Sequence, residues 1–368
     1  MFLLLVICGY FMVKLLLKIG VINGKKYFML GISFFLISLP GYFRSKDYDF
    51  AEDIRKKRKP DPAPKEKDFA TYSISTEIIG NCPCRIYKPK KVSNDLLFCY
   101  LHGGGWIYSH PSNYDDLMDK FMDELNCTIV SIDYPLAPEE ILPAAINESY
   151  NTISNLMGSL TEIIGFETKN VIIGGDSAGG GLTANMTHRA ALNNKNWFKY
   201  QVLLYPALGS LNFQSPSYKA YPKTELKSIL SPEFFAKMVL TYVGIETSKE
   251  NMKELLNCDS VLPNLQKNSP LAQFVNNLDL SPILADEQLL KKLPSSVTFL
   301  AGADILQDEG FDYYMNMKKA SKDNKSVLHE FQWIKNSTHG EFILNNTASY
   351  DMVKEVKYFL DKVNALNN

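Results

Sequence analysis

The feature that most restricts how this chain can fold lies after residue 70, where short apolar runs alternate with longer stretches of helical pattern. The runs are Leu96–Leu101, Thr128–Tyr134, Val171–Gly174, Gln201–Tyr205, Val297–Ala301 and Val327–Trp333. Four of them are near-continuous in Val, Ile, Leu and Phe, as strands covered on both faces must be. Their alternation with helices predicts an α/β fold, a mainly parallel central sheet flanked by helices. Thr71–Tyr87 adds one or two antiparallel strands at the leading edge. From Tyr205 to Val297 no convincing buried strand occurs. That stretch holds helical patterns at Ser231–Tyr242 and Asn251–Leu256, separated by Pro216, Pro222, Pro232, Pro263, Pro270 and Pro282. A structureless loop of this length is uncommon in a compact domain, so a mostly helical cap is expected over about 207–290, inserted into a sheet domain of 71–368. Caps of this kind cover an active site and set what enters it.

The N-terminus has a different character. Met1 to Val13 is unbroken in apolar or small residues, Leu15–Leu17 extend it past Lys14, and a second apolar stretch runs from Tyr27 to Phe43. Neither alone reaches the roughly 20 apolar residues of an ordinary spanning helix. A cleaved signal peptide would call for a basic region before the first run and a clear small-x-small cleavage site, and neither is there. A pair of buried core helices is the other alternative. Asp and Glu are absent from the first 46 residues, so residues 1–43 are expected to anchor the chain in a membrane. Basic residues on both sides of the second run (Lys14, Lys18, Lys25 and Lys26 before it; Arg44, Lys46 and the 55–59 cluster after it) leave the orientation open. Residues 44–70 are charged and carry Pro60, Pro62 and Pro64, the composition of a linker or extended arm.

A formal net charge of −1 and the lack of any basic footprint argue against a nucleic-acid partner. The six cysteines (Cys8, Cys82, Cys84, Cys99, Cys127 and Cys258) are too few and scattered for a disulfide scaffold. Cys82-Pro83-Cys84 has the wrong spacing for a zinc knuckle or a thioredoxin-type pair, and no His cluster accompanies it, so packed or surface thiols and no metal are expected. One inter-strand disulfide stays open if the domain is luminal.

Two glycine motifs carry the chemistry. Gly175-Asp176-Ser177-Ala178-Gly179 follows the run Val171–Gly174 and precedes the helical pattern Leu182–Leu192. Alone, Gly-x-Ser-x-Gly is a weak signal that fits any strand-to-helix glycine turn. Between a strand and a helix it has the context of a nucleophile elbow, with Gly175 and Gly179 relieving a tight turn and Ser177 at a helix N-terminus. His102-Gly103-Gly104-Gly105-Trp106 directly follows the run Leu96–Leu101. Its unobstructed amides suit a tetrahedral oxyanion, the expected donors being Gly104, Gly105 and Ala178. The alternatives are a flexible glycine loop or a phosphate loop, but the Lys and Ser/Thr of a P-loop do not follow.

The base must be one of five histidines: His102, His110, His188, His329 or His339. In this elbow architecture the chain order is Ser, acid, His, which leaves His329 and His339. His329 falls inside the run Val327–Trp333, so its side chain is expected in a packed face. His339 lies in the loop after that run and precedes Gly340, and is preferred. For the acid, Asp304 ends Ala301-Gly302-Ala303-Asp304 at the carboxyl end of a strand. Its rivals Asp308, Glu309 and Asp312 begin the next helix, where acids also serve as caps. Asp304 would orient His339 and stabilise its imidazolium.

Together these residues resemble the hormone-sensitive-lipase branch of the α/β-hydrolases, and within it the arylacetamide deacetylase group. The matching pieces are 102–106, Asp133-Tyr134-Pro135-Leu136-Ala137-Pro138-Glu139, 175–180, Ser281-Pro282-Ile283-Leu284-Ala285, 304–310 and His339-Gly340. The resemblance implies an α/β-hydrolase fold and hydrolysis of carboxylic esters, and some amides, of small or lipid-like acyl groups without a cofactor. It also implies an N-terminal membrane anchor with the catalytic domain in the endoplasmic reticulum lumen. Two positions depart from the family pattern: Pro135 stands where Arg is usual, and Glu341 where an aromatic is usual.

Two other readings compete. A binding protein on the same fold would close its cap over a ligand without turnover; the plant gibberellin receptors resemble this branch and lack the catalytic His. The presence of Ser177, Asp304 and His339 counts against it. A serine peptidase on this fold commonly adds a propeller or other large domain, for which this chain has no room. A luminal domain would also bear on glycosylation, for which Asn126, Asn147, Asn185, Asn324, Asn336 and Asn345 each begin an Asn-x-Ser/Thr triplet.

Overall fold

A computed structural model describes residues 50–57, 67–69, 71–91, 95–224, 226, 228–259, 265–266 and 268–366. Its centre is a nine-stranded sheet of β1 (Lys67–Asp68), β2 (Tyr72–Ile79), β3 (Cys82–Pro89), β4 (Leu97–Leu101), β5 (Thr128–Ile132), β6 (Val171–Asp176), β7 (Tyr200–Leu204), β8 (Ser295–Ala303) and β9 (His329–Thr338). Their order is β1-β2-β3-β5-β4-β6-β7-β8-β9. The pairs β1/β2, β2/β3 and β3/β5 are antiparallel and all others parallel. All six apolar runs therefore form strands, and the leading segment supplies an antiparallel hairpin.

The strand β4 shows why its sequence is apolar at every position. Leu97, Cys99 and Leu101 face a core shared with Ile153 and Leu156 of α3 (Ala144–Gly158) and Leu182 and Met186 of α4 (Ala178–Leu192). Phe98 and Tyr100 face the opposite core, with Phe121 of α2 (Asp115–Leu125) and Phe359 of the long C-terminal helix Asn346–Leu366. Successive side chains point to opposite faces, and helices cover both.

Among the described residues of 207–290 no strand occurs. The segment holds α5 (Pro232–Tyr242) and α6 (Lys249–Leu256) with short helical turns between them. Ser231 caps α5 by accepting from the Phe234 amide, with Pro232 at the first helical position, and Ser248 caps α6 by accepting from the Asn251 amide. These caps satisfy amides that the first turn leaves unpaired. Phe213, Phe235, Met238 and Leu271 of this segment join the same core as Trp106 and β4, so it packs continuously onto the sheet domain.

The stretch expected to be an arm contains helix α1 (Phe50–Lys57), which buries Phe50 and Ile54. The Phe50 ring lies 6.4 Å from Phe234 of α5, and the Lys237 ammonium sits 5.6 Å from it. Two apolar residues four apart make one helical face, a pattern the surrounding charges obscure. The anchor expected at 1–43 lies outside the described residues. Among the described residues no helix is long and apolar enough to cross a membrane. Cys82, Cys84, Cys99, Cys127 and Cys258 are buried and unbridged.

Candidate active site

Ser177 stands between β6 and α4 with φ +54° and ψ −121°, backbone angles that side-chain-bearing residues seldom adopt. Backbone bonds hold it there. Its amide donates to Leu204 O at 2.9 Å, and its carbonyl accepts from Ala207 and Gly181 at 2.9 and 3.1 Å. A Cβ on Gly175 would lie 2.4 Å from Leu101 O, and one on Gly179 would lie 2.0 Å from the same atom. The end of β4 thus presses on the turn from below, which only glycine permits at both places.

Asp304 follows the end of β8, and His339 follows the end of β9. Their ring-to-carboxylate distance, His339 Nδ1 to Asp304 Oδ2, is 2.6 Å, and His339 Nε2 lies 2.8 Å from Ser177 Oγ. The carboxylate can only accept from Nδ1–H, which leaves Nε2 as the acceptor facing the Ser177 hydroxyl. The second carboxylate oxygen of Asp304 accepts from the Leu306 amide at 3.1 Å. All three side chains are nearly buried, so their interactions are little screened by water. The structure brings together the three residues singled out in the sequence from positions 127 and 35 residues apart along the chain.

The rival residues go elsewhere. His329 is buried in β9 with Nδ1 2.7 Å from Ser296 Oγ. Asp308 accepts from the Ser217 amide at 2.7 Å, and Asp312 is exposed. Glu309 is buried and accepts from the amides of Leu208 and Gly209 at 2.6 and 3.1 Å, at the start of the segment 207–290. Burial raises its pKa to about 8, although the two amides pull it down. A carboxyl raised above its unfolded value contributes stability that is full below pH 4.5 and is lost as pH rises through about 8. Glu309→Gln keeps an acceptor for both amides and removes the titration. Its melting temperature relative to the parent should therefore be several degrees more favourable at pH 9 than at pH 5, and a gap that does not move with pH would show that Glu309 is not held neutral.

The glycine loop turns sharply, with φ of +120° at Gly104 and +64° at Gly105. The Gly104 carbonyl accepts from the amides of Ile107 and Tyr108, and a Cβ on Gly105 would meet Met238 Sδ of α5 at 2.3 Å. The loop's first residue is clamped: the His102 ring stacks on Tyr134 at 4.4 Å, and Tyr134 OH donates to the His102 carbonyl at 2.6 Å. Burial lowers the His102 pKa to about 4, so the ring is neutral at physiological pH. Ala178, after Ser177, is the first residue of α4, where amides point outward and the helix dipole favours negative charge. Over the loop, Trp106 stacks on Tyr242 of α5 at 4.6 Å.

Sequence reasoning missed Tyr205, whose ring lies 4.6 Å from His339 and stacks on Phe342 at 5.2 Å. Its position at the carboxyl end of β7, level with Ser177, was the available signal. Of the two departures from the family pattern, Glu341 accepts from Asn345 Nδ2 at 2.7 Å within the short turn Glu341–Leu344, and Pro135 is half-buried beside Tyr134. Among the triplet asparagines, Asn185 is buried and donates to Asp279 O at 2.8 Å, while Asn147, Asn324 and Asn336 are exposed. No group of three or more His, Cys, Asp or Glu among the described residues is placed to hold a metal ion.

A family model described as the alpha/beta hydrolase fold matches residues 98–340, from the strand before the glycine loop to the residue after His339. The chain belongs to the α/β-hydrolase family. This hydrolase is 30% identical over 322 residues to the arylacetamide deacetylase of Oryctolagus cuniculus, covering 78% of its own length and 79% of that protein. It is 29% identical over 257 residues to the neutral cholesterol ester hydrolase 1 of Mus musculus, covering 60% and 62%. Among solved structures it is similar to a fungal esterase from Rhizomucor miehei, with a TM-score of 0.68, 20% identity and coverage of 94% of this chain and 99% of that one. Carboxyl esterase 2 of Tuber melanosporum superposes with a TM-score of 0.62 at 20% identity, covering 84% and 89%. At these identities the two structures speak for the fold of this hydrolase.

Proposed function

We propose that this α/β-hydrolase is a serine esterase, cleaving carboxylic esters and some amides of small or lipid-like acyl groups through an acyl-enzyme. The observation that carries the reading is the unbroken line Ser177 Oγ–His339 Nε2, His339 Nδ1–Asp304 Oδ2 at 2.8 and 2.6 Å. In the first half-reaction Ser177 Oγ attacks the acyl carbon and its proton passes to His339 Nε2. The tetrahedral oxyanion is met by the amides of Gly104, Gly105 and Ala178. Collapse breaks the bond to the leaving alcohol or amine, which takes the proton from His339. Water then attacks the acyl carbon by the same route, releasing the acid and restoring Ser177. Asp304 holds the imidazole in the required tautomer and stabilises its charged form. No cofactor enters these steps.

The relatives support this reading: one is named for deacetylating arylacetamides, the other for hydrolysing a cholesterol ester. That makes this chain a carboxylic ester hydrolase, with Trp106 of the glycine loop packed against Phe235 and Tyr242. The proposed context is a membrane held by residues 1–43, with the catalytic domain luminal and the helical cap of 207–290 setting which ester enters. A fluorophosphonate probe should label Ser177 in the parent protein and not in Ser177→Ala. A panel of p-nitrophenyl esters from acetyl to palmitoyl should then turn over with a clear chain-length optimum. A folded protein that neither reacts with the probe nor cleaves any ester of the panel would instead be a ligand-binding protein on this fold.

A further inference from the structure

The residue before the nucleophile is a carboxylate without a cationic partner in contact among the described residues. Asp176 ends β6 and is buried. Its Oδ1 accepts from Tyr100 OH at 2.9 Å and from the Gly103 amide at 2.8 Å, and its Oδ2 accepts from Tyr114 OH at 3.1 Å. The Gly103 amide also lies 2.9 Å from Tyr114 OH. All the donors are neutral, and they come from β4, from the glycine loop and from the helical turn Pro111–Tyr114 that follows it. Burial raises the carboxyl to about 6 in spite of them, so its presence is a cost to the fold at neutral pH. A Cβ on Gly103 would sit 2.3 Å from Asp176 Oδ2, so the loop backbone lies directly on the carboxylate. No route from Asp176 to the reacting atoms is needed, because one covalent step separates it from Ser177 and one hydrogen bond separates it from the loop.

We infer that Asp176 is a positioning residue that fixes the distance between the oxyanion loop and Ser177, acting through the Gly103 amide. Gly103 is joined to Gly104 and Gly105, so pinning its amide sets where the next two amides stand. Oxyanion donors work only when already placed at the developing charge, and a shift well under an ångström weakens them in the transition state more than in the ground state. The brace should therefore act on kcat. The inference rests on Ser177 being the nucleophile.

Two variants test it. Asp176→Asn keeps an acceptor for Gly103 and Tyr100. Asp176→Ala combined with Tyr100→Phe and Tyr114→Phe removes the brace and leaves no buried hydroxyl unpaired, only the Gly103 amide that the brace held, and a melting curve reads what that costs the fold. With p-nitrophenyl butyrate, the triple variant should lose about 100-fold in kcat with KM within about threefold of the parent, the signature of a lost oxyanion donor. Asp176→Asn should recover at least about tenfold of that loss, and a trifluoromethyl ketone, which forms an oxyanion on Ser177, should weaken in parallel with kcat across the series. A triple variant that melts like the parent and keeps kcat within about threefold overturns the inference, as does an Asn variant no better than the triple one. Because Ser177→Ala is read separately, an inert Ser177→Ala beside fully active Asp176 variants would sink the brace and leave the nucleophile standing.

Discussion

Ser177→Ala should be folded, melt close to the parent and hydrolyse esters at least about 10⁴-fold more slowly in kcat. The unusual backbone of this turn is maintained by main-chain bonds to Leu204, Ala207 and Gly181 and by the glycines at 175 and 179. None of these involves the serine hydroxyl, and alanine keeps the Cβ that the turn already accommodates. What the substitution removes is the atom 2.8 Å from His339 Nε2. Without it no acyl-enzyme forms, and the remaining amides can only bind the ester. The measurement is kcat on a short-chain p-nitrophenyl ester, with circular dichroism and a melting curve as controls. Retention of more than a few per cent of activity would mean that another group attacks the ester.

Much of this site was legible in the sequence because its constraints are local. A strand buried on both faces writes an unbroken apolar run, and a turn crossed by a neighbouring strand writes glycine at fixed spacing from Ser177. Order along the chain left His329 and His339, the loop after the last strand favoured His339, and the carboxyl end of a strand favoured Asp304 over Glu309, all without any coordinates. What stayed hidden depends on contacts between distant positions. Asp176 occupies a place in the motif that can hold almost any residue, and its partners Tyr100, Gly103 and Tyr114 lie 76, 73 and 62 residues earlier. Tyr205 reads as the end of an apolar strand, and only the sheet order places its ring against His339. Helix α1 was concealed for another reason. Its eight residues carry acids in the first turn and basic residues after Ile54, so composition speaks for solvent while Phe50 and Ile54 pack into the core that α5 shares. A few buried side chains outweigh the average of their neighbours, since burying each large apolar group contributes about 2 kcal/mol.

The two histidines near the end of the chain should separate cleanly when each is replaced by alanine. His339→Ala should approach Ser177→Ala in severity, because Ser177 then has no proton acceptor and the leaving group no proton donor. His329→Ala should keep kcat within about threefold and lower the melting temperature, because its ring touches Ser296 in the sheet and none of the reacting groups. The cost has a pH signature. Burial lowers the His329 pKa from 6.5 to about 4, so the fold holds the ring neutral. Above pH 6.5 folded and unfolded chains bind the same number of protons at this residue. As pH falls from 6.5 towards 4 the unfolded chain takes up a proton that the fold refuses, and the parent loses on the order of 3 kcal/mol that the alanine variant has no means to lose. The stability difference between parent and His329→Ala, read from urea titrations at pH 7.5 and pH 5, should accordingly narrow in acid. Equal kinetic damage from the two substitutions would undo the assignment of His339 as the base, and a stability difference that widens in acid would mean that His329 is charged in the fold.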